Sequence, residues 1–159
     1  GVRIACIYLP NGNPQPGPKF DYKLAWMKRL RQRMVQLSEQ EIPAVVFGDF
    51  NVIPQDKDVW SVRAMASDAL MQPESRDAYA RLLNDGWTDA IDVLNPQGGV
   101  WTFWDYQAGA WQRDHGFRID HALLSPELAD RLRCAGVDKD YRGREKASDH
   151  APVWVELRG

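Results

Sequence analysis

The sequence predicts an α/β fold of mixed β-sheet flanked by helices, and three observations carry that expectation. The chain has 159 residues, 44% of them apolar and 26% charged. That is enough for one ordinary domain with a proper core and a wet exterior, and it excludes disorder, collagen and coiled coil. A strand-like run, an amphipathic helical run and a fully apolar run follow one another from the N-terminus, the order of a βαβ layer. Further strand-like runs recur to the C-terminus, with no internal repeat, low-complexity tract or linker to divide the chain into two domains.

Val2 to Tyr8 reads as the first strand. Pro10 to Pro18 is too rich in Pro, Gly and Asn for regular structure and reads as a functional loop. Asp21 then caps a helix in which Trp26, Met27, Leu30, Met34 and Leu37 recur at helical spacing, with Lys28, Arg29, Arg31 and Arg33 on its solvated side. Pro43 to Phe47 reads as a buried strand ended by Gly48-Asp49-Phe50-Asn51 and Pro54. Residues 55 to 73 have anchors at Trp60, Met65, Leu70 and Met71 but no clean period, which fits short helical turns. Ser75 caps a helix carrying Tyr79, Leu82 and Leu83, and Gly86 suits its end. Trp101 to Trp104 and Phe117 to Leu124 read as strands on either side of a polar loop. Ser125-Pro126 opens a short helix, Cys134 to Val137 is a strand, and Ala151 to Leu157 is the last.

Twenty Lys and Arg against 22 Asp and Glu leave a net charge of -2. A polyanionic partner must therefore be met by a local basic surface and not by a global field. Cys6 and Cys134 have no CxxC spacing and fit reduced, buried thiols in a cytoplasmic protein better than a disulfide framework. No apolar run is long enough to cross a bilayer, which leaves no membrane role to expect.

The polar residues of interest fall where strands run out, the usual place for chemistry in mixed sheets. Asp49 and Asn51 alternate about Phe50, so an extended backbone projects both to one side, where an Asp could take a proton from water and an Asn orient it. The same residues alone also make an ordinary capped turn. His150 stands at the mouth of the last strand. An Asp120 carboxylate beside it would fix its tautomer and favour the imidazolium, which suits a phosphate oxygen. No Ser or Cys sits in a nucleophile elbow, so acyl transfer is excluded, and neither HxH nor HExxH suggests zinc. His115 and His121 read as loop or sheet histidines. Several carboxylates without thiolates match a hard cation, Mg²⁺ or Mn²⁺. The chemistry suggested is phosphoester hydrolysis, with Tyr8 and Asn11 as donors to phosphate oxygens.

Tyr8-Leu9-Pro10-Asn11, Gly48-Asp49-Phe50-Asn51, Arg118-Ile119-Asp120-His121 and Ser148-Asp149-His150-Ala151-Pro152-Val153, in this order, resemble the endonuclease/exonuclease/phosphatase superfamily. Thr102-Phe103-Trp104-Asp105-Tyr106 followed by Gly116-Phe117-Arg118-Ile119-Asp120 resembles its exonuclease III branch, the abasic-site endonucleases. The resemblance implies part of a four-layered α/β sandwich and Mg²⁺-dependent hydrolysis 5′ to abasic sites in duplex DNA, with removal of nucleotides or blocks from 3′ ends.

Carried over by position, Asp49 handles the nucleophilic water, Asn51 orients it, Tyr8 and Asn11 contact the phosphate with Arg118 on the DNA, and Asp120 partners His150. Asp149 belongs near the metal, while Phe103, Phe117 and Ile119, with Trp104 beside them, form the pocket for the extruded abasic sugar. Members of the family carry a preceding segment with an Asn and a metal-binding Glu, and this chain begins after both. The expectation is a C-terminal portion of the family domain, inactive or weakly active alone, with its uncovered face closed in a homodimer. A phosphatase of small phosphorylated alcohols and a non-catalytic fragment are the alternatives.

Overall fold

The computed structural model describes residues 1–159. Strand β1 (Arg3–Tyr8) pairs in parallel with β2 (Ala44–Asp49), and helix α1 (Pro18–Glu39) makes the crossover between them. β2 pairs antiparallel with β4 (Asp120–Leu124), and β4 with the two-residue β3 (Thr88–Asp89), so the mixed sheet has the order β1-β2-β4-β3. A separate antiparallel pair, β5 (Leu132–Val137) and β6 (Val153–Leu157), closes the chain. Short helices α2 (Val62–Met65), α4 (Ala90–Leu94) and α5 (Pro126–Ala129) and the longer α3 (Pro73–Asn84) fill the connections. No helix is long and apolar enough to cross a membrane.

Period-two alternation divides the sheet residues between two cores. Val46 and Leu123 face α1 and α3, packing with Met27, Met34, Tyr79 and Leu82. Val45, Ala122 and Leu124 face the other way, toward Leu128 and the partly buried Val153, Val155 and Leu157 of β6. A third cluster of Ile53, Val59, Leu70, Met71, Phe117 and Ile119 lies beyond the strand ends and floors the region where the polar loops meet.

Several expectations are corrected. Helix α1 starts at Pro18 after Gly17, so Asp21 sits in its first turn and does not cap it; proline at the first helical position is already set for the helix. Likewise α3 starts at Pro73, and Ser75, inside it, donates its hydroxyl to the Ala69 carbonyl. Trp101 to Trp104 forms no strand: Phe103 alone makes bridges, to Phe117 and to His150. Cys6 is exposed, because β1 is an edge strand whose Ile4, Cys6 and Tyr8 face outward, and Cys134 of β5 is half-buried.

Candidate active site

Sheet register assembles the centre of the site. Tyr8 pairs with Asp49 across β1 and β2, and Asp49 pairs with Asp120 across β2 and β4. Directly opposed residues point to one face, so three side chains from distant parts of the chain stand in a row at the sheet's end. Gly48 permits this close pairing. Its φ is 137°, and a Cβ there would lie 1.9 Å from the Ile7 carbonyl oxygen.

The row continues through His150. Its Nδ1 lies 2.7 Å from Asp120 Oδ2, and its Nε2 lies 3.8 Å from Asp49 Oδ2. The bridge between Phe103 and His150 brings the imidazole to this position, and the ring packs edge-on to Phe103 with centroids 5.1 Å apart. Buried Thr102 supports the other partner, its hydroxyl oxygen accepting the backbone N–H groups of Ile119 and Asp120, both at 3.0 Å.

Asp49 and Asn51 do not extend as an alternating pair. Asn51 adopts a left-handed backbone with φ of 47°, and its N–H donates to Asp49 Oδ1 at 2.8 Å, a turn that Asn tolerates well. The Asn51 amide NH₂ donates to the Leu9 carbonyl at 2.7 Å, which leaves its oxygen as the unused polar atom. Asn11 shows the reverse: its side-chain oxygen accepts from Asn13, leaving its NH₂ group unused.

Lys23 joins these two turns and was not legible as a site residue. Fully buried, it donates to the carbonyls of Asn11 at 3.0 Å and Asn51 at 2.5 Å. Burial lowers its pKa to about 8, against the opposing pull of the Asp68 and Asp49 charges. A signal did exist, since Lys23 falls on the buried stripe of α1 between Phe20 and Met27. Asp68 likewise gives no signal in the sequence: it accepts from the Asn13 amide at 3.0 Å and so ties the Pro-rich loop to the aperiodic stretch.

Around this centre lies a cleft of about 530 Å³. Tyr8, Asn11, Asp49, Asn51, Asp149 and His150 supply its polar wall, and Phe103, Phe117, Ile119, Met65 and Leu70 its apolar one. Desolvation first, and then the charge of Asp120, push the Asp49 pKa up to about 6, while the Asn51 N–H and the His150 and Lys23 charges restrain it. Burial works to lower the His150 pKa, but the hydrogen bond and charge of Asp120, with Asp49 and Asp149, raise it overall. Asp49 and His150 thus both have raised pKa values, Asp49 through burial and the Asp120 charge, His150 through its Asp120 partner.

Two expected site residues lie elsewhere. Arg118 is buried, with ion pairs to Asp58 at 2.9 Å and Asp89 at 2.8 Å, so it cannot reach a nucleic-acid backbone. It alternates with Phe117 and Ile119 and points away from the cleft they line. Trp104 is also fully buried; its indole N–H donates to Asp114 at 2.8 Å and its ring meets Trp111 edge-on, so it holds the loop together. His121 belongs to the Arg118 network. Burial and the Arg118 charge pull its pKa to about 4, and the neutral ring contacts Arg118 and the Val52 carbonyl, just beyond Asn51.

The match to known proteins agrees with this geometry. The family model described as endonuclease/exonuclease/phosphatase matches residues 1–150. The chain belongs to the endonuclease/exonuclease/phosphatase family. Among similar members of that family, exodeoxyribonuclease III of Haemophilus influenzae is 32% identical over 95% of this chain and 60% of its own. An exodeoxyribonuclease of Bacillus subtilis is 31% identical over 96% of this chain and 58% of its own. A 3′ phosphatase from Neisseria, solved with a product DNA hairpin, superposes with a TM-score of 0.95 at 34% identity, over 100% of this chain and 62% of that one. An AP endonuclease from Archaeoglobus fulgidus superposes with a TM-score of 0.93 at 32% identity, over 99% of this chain and 62% of that one. The chain spans about 60% of the length of these relatives.

The family depends in general on a divalent metal. The carboxylates of this cleft are the right type of donor for a hard cation. Their arrangement is not sufficient, because no three or more His, Cys, Asp or Glu side chains are disposed so that they could hold an ion. The residues present therefore do not by themselves make a complete metal site.

Proposed function

We propose that this chain carries the phosphodiester-hydrolysing centre of a DNA repair nuclease of exonuclease III type. Such an enzyme cuts 5′ to abasic sites and removes nucleotides or blocking groups from 3′ ends of duplex DNA. The observation that carries this reading is the meeting of Tyr8, Asp49, Asp120 and His150 at one rim, beside an apolar wall of Phe103, Phe117 and Ile119.

The chain's own groups suit the reaction. Ionised Asp49 accepts a proton from the attacking water, and the free oxygen of Asn51 helps to orient that water. The Asp120-paired imidazolium presents Nε2 to a phosphate oxygen, where it offsets charge growing in the transition state. The Tyr8 hydroxyl and the Asn11 NH₂ group donate to the remaining phosphate oxygens. The water oxygen bonds to phosphorus as the bond to the 3′ oxygen breaks, and that oxygen takes a proton from solvent and leaves as a 3′ hydroxyl end. The apolar wall accepts a sugar without a base, and extrusion is easiest where no base stacks, which favours abasic sites. Asp149, on the polar wall, would supply one carboxylate toward a divalent ion such as Mg²⁺ or Mn²⁺.

The test is incubation with duplex DNA carrying a tetrahydrofuran abasic analogue, in Mg²⁺ and in EDTA. Nicking at the analogue in Mg²⁺ alone supports the proposal. Hydrolysis of small phosphate esters without nicking would reassign the site to a phosphatase. Silence on both would mean that the residues of this chain are insufficient for turnover, in line with the lack of a side-chain group disposed to hold an ion.

A further inference from the structure

A second cleft, of about 370 Å³, adjoins the first and shares Met65, Asp105 and Phe117 with it. Its wall holds a pair of rings in an unusual state of order. The Trp60 indole and the His115 imidazole stack with centroids 3.8 Å apart and planes 3° from parallel. The backbone fixes both: the Trp60 N–H donates to the Gly116 carbonyl at 3.0 Å, and the His115 N–H to the Ala110 carbonyl at 2.8 Å. Gly116, next to His115, lets the Trp101–Phe103 segment pass close by, since a Cβ there would lie 2.8 Å from the Phe103 carbonyl oxygen.

Despite that order, Trp60 is 39% exposed and belongs to none of the hydrophobic cores. An indole backed on one face by a parallel ring and open to solvent is a platform for another flat ring. Arg113 is the only Arg or Lys in the same wall. A nucleotide presents this combination, a flat ring joined to an anionic group.

Resting on the nuclease reading above, we infer that this second cleft is a stacking subsite for an unpaired nucleobase, one nucleotide removed from the phosphate in the catalytic cleft. The base lies on the Trp60–His115 pair, and Arg113 meets its phosphate. Contiguity supplies the geometry. Phe117 and Met65 line both clefts, and successive nucleotides of a strand rise only ~3.4 Å along the helix axis when stacked. Splaying one base outward carries it past these side chains into the second cleft while its phosphate stays by the sugar. The arrangement favours DNA that is already unpaired next to the reacting phosphate, as at frayed or mismatched ends.

The experiment uses this chain and duplex DNA labelled with a dye for anisotropy, with 2-aminopurine placed beside a tetrahydrofuran abasic analogue, on its 3′ side in one duplex and its 5′ side in another. EDTA is present to prevent turnover. Wild type is expected to bind and to quench 2-aminopurine in one of the duplexes. Trp60→Ala should abolish the quenching and weaken binding roughly 5- to 150-fold, the range set by loss of one base–aromatic stack. Trp60→Phe should retain most of both, and circular dichroism should show each variant folded. Binding and 2-aminopurine emission that are unchanged in Trp60→Ala would overturn the subsite while leaving the nuclease reading intact. Absence of any anisotropy change with wild type would overturn both.

Discussion

Asp120 and His150 are joined by a 2.7 Å hydrogen bond between a β4 carboxylate and an imidazole at the opening of β6. That bond and the Asp120 charge outweigh the burial that works to lower the His150 pKa, and raise it overall. A raised histidine pKa stabilises the fold fully below the ordinary value of 6.5, and the contribution fades as pH rises through the folded value. Asp120→Asn should move the His150 titration midpoint down, read by NMR of the imidazole carbons, and flatten that pH dependence of stability. An unmoved midpoint would show that Asp120 does not set the charge state. In an active form, His150→Ala should cut turnover by ~10²–10³-fold, the usual effect of removing one donor aimed at developing charge.

Asp49 works in the opposite sense. Its pKa is pushed up to about 6, above the ordinary 3.8, so ionised Asp49 destabilises the fold above that range, and the penalty is relieved as pH falls through about 6. Asp49→Asn should therefore raise the urea midpoint at pH 8 by the equivalent of ~1–3 kcal/mol while removing the proton acceptor. A variant less stable than wild type at pH 8 would contradict this account.

Lys23 gives a third pH signature. Burial lowers its pKa to about 8 from 10.5, so between these values the unfolded chain binds a proton that the folded chain has released. Stability then rises with pH across that interval. Lys23→Met lacks this rise, so the difference in unfolding free energy between the two proteins should shift by ~1–3 kcal/mol between pH 8 and 10.5 in favour of wild type. Parallel pH profiles would show that Lys23 titrates normally.

Arg118 should matter for folding and not for DNA contact. Removing one member of a buried ion pair leaves an uncompensated charge and costs about 3–5 kcal/mol; here Asp58 and Asp89 would both be stranded. Arg118→Ala should lower the urea midpoint accordingly. Folded Arg118→Ala protein, at low urea, should bind DNA with the affinity and salt dependence of wild type.

The residues of the candidate site were largely legible in the sequence because they stand in short runs at strand ends, where loops held by a rigid sheet tend to carry chemistry. Gly48-Asp49-Phe50-Asn51 and Asp149-His150 are such runs. Arg118 was misread because a motif names a residue type at a position but not the face it occupies, and alternation with Phe117 and Ile119 turns it inward. Lys23 is not legible in the sequence because a lysine on a helix is ordinarily solvated; only its contacts to the Asn11 and Asn51 carbonyls reveal its use. Trp60 and His115 gave no joint signal, since 55 residues of numbering separate rings that lie in parallel contact.

By itself the sequence determined most of the strands and helices, through apolar periodicity and turn residues, though neither β3 nor α4 nor the absence of a strand at Trp101 to Trp104, and it determined the inventory of groups able to handle a phosphodiester. Those are local properties, written in neighbouring residues. Only the tertiary structure decided which groups meet. The pairing of Tyr8 with Asp49 and of Asp49 with Asp120 is a matter of strand register, and the arrival of His150 depends on a bridge to Phe103. Register is selected by which faces of β1, β2 and β4 are buried together, a cooperative outcome of the whole core that no single segment encodes.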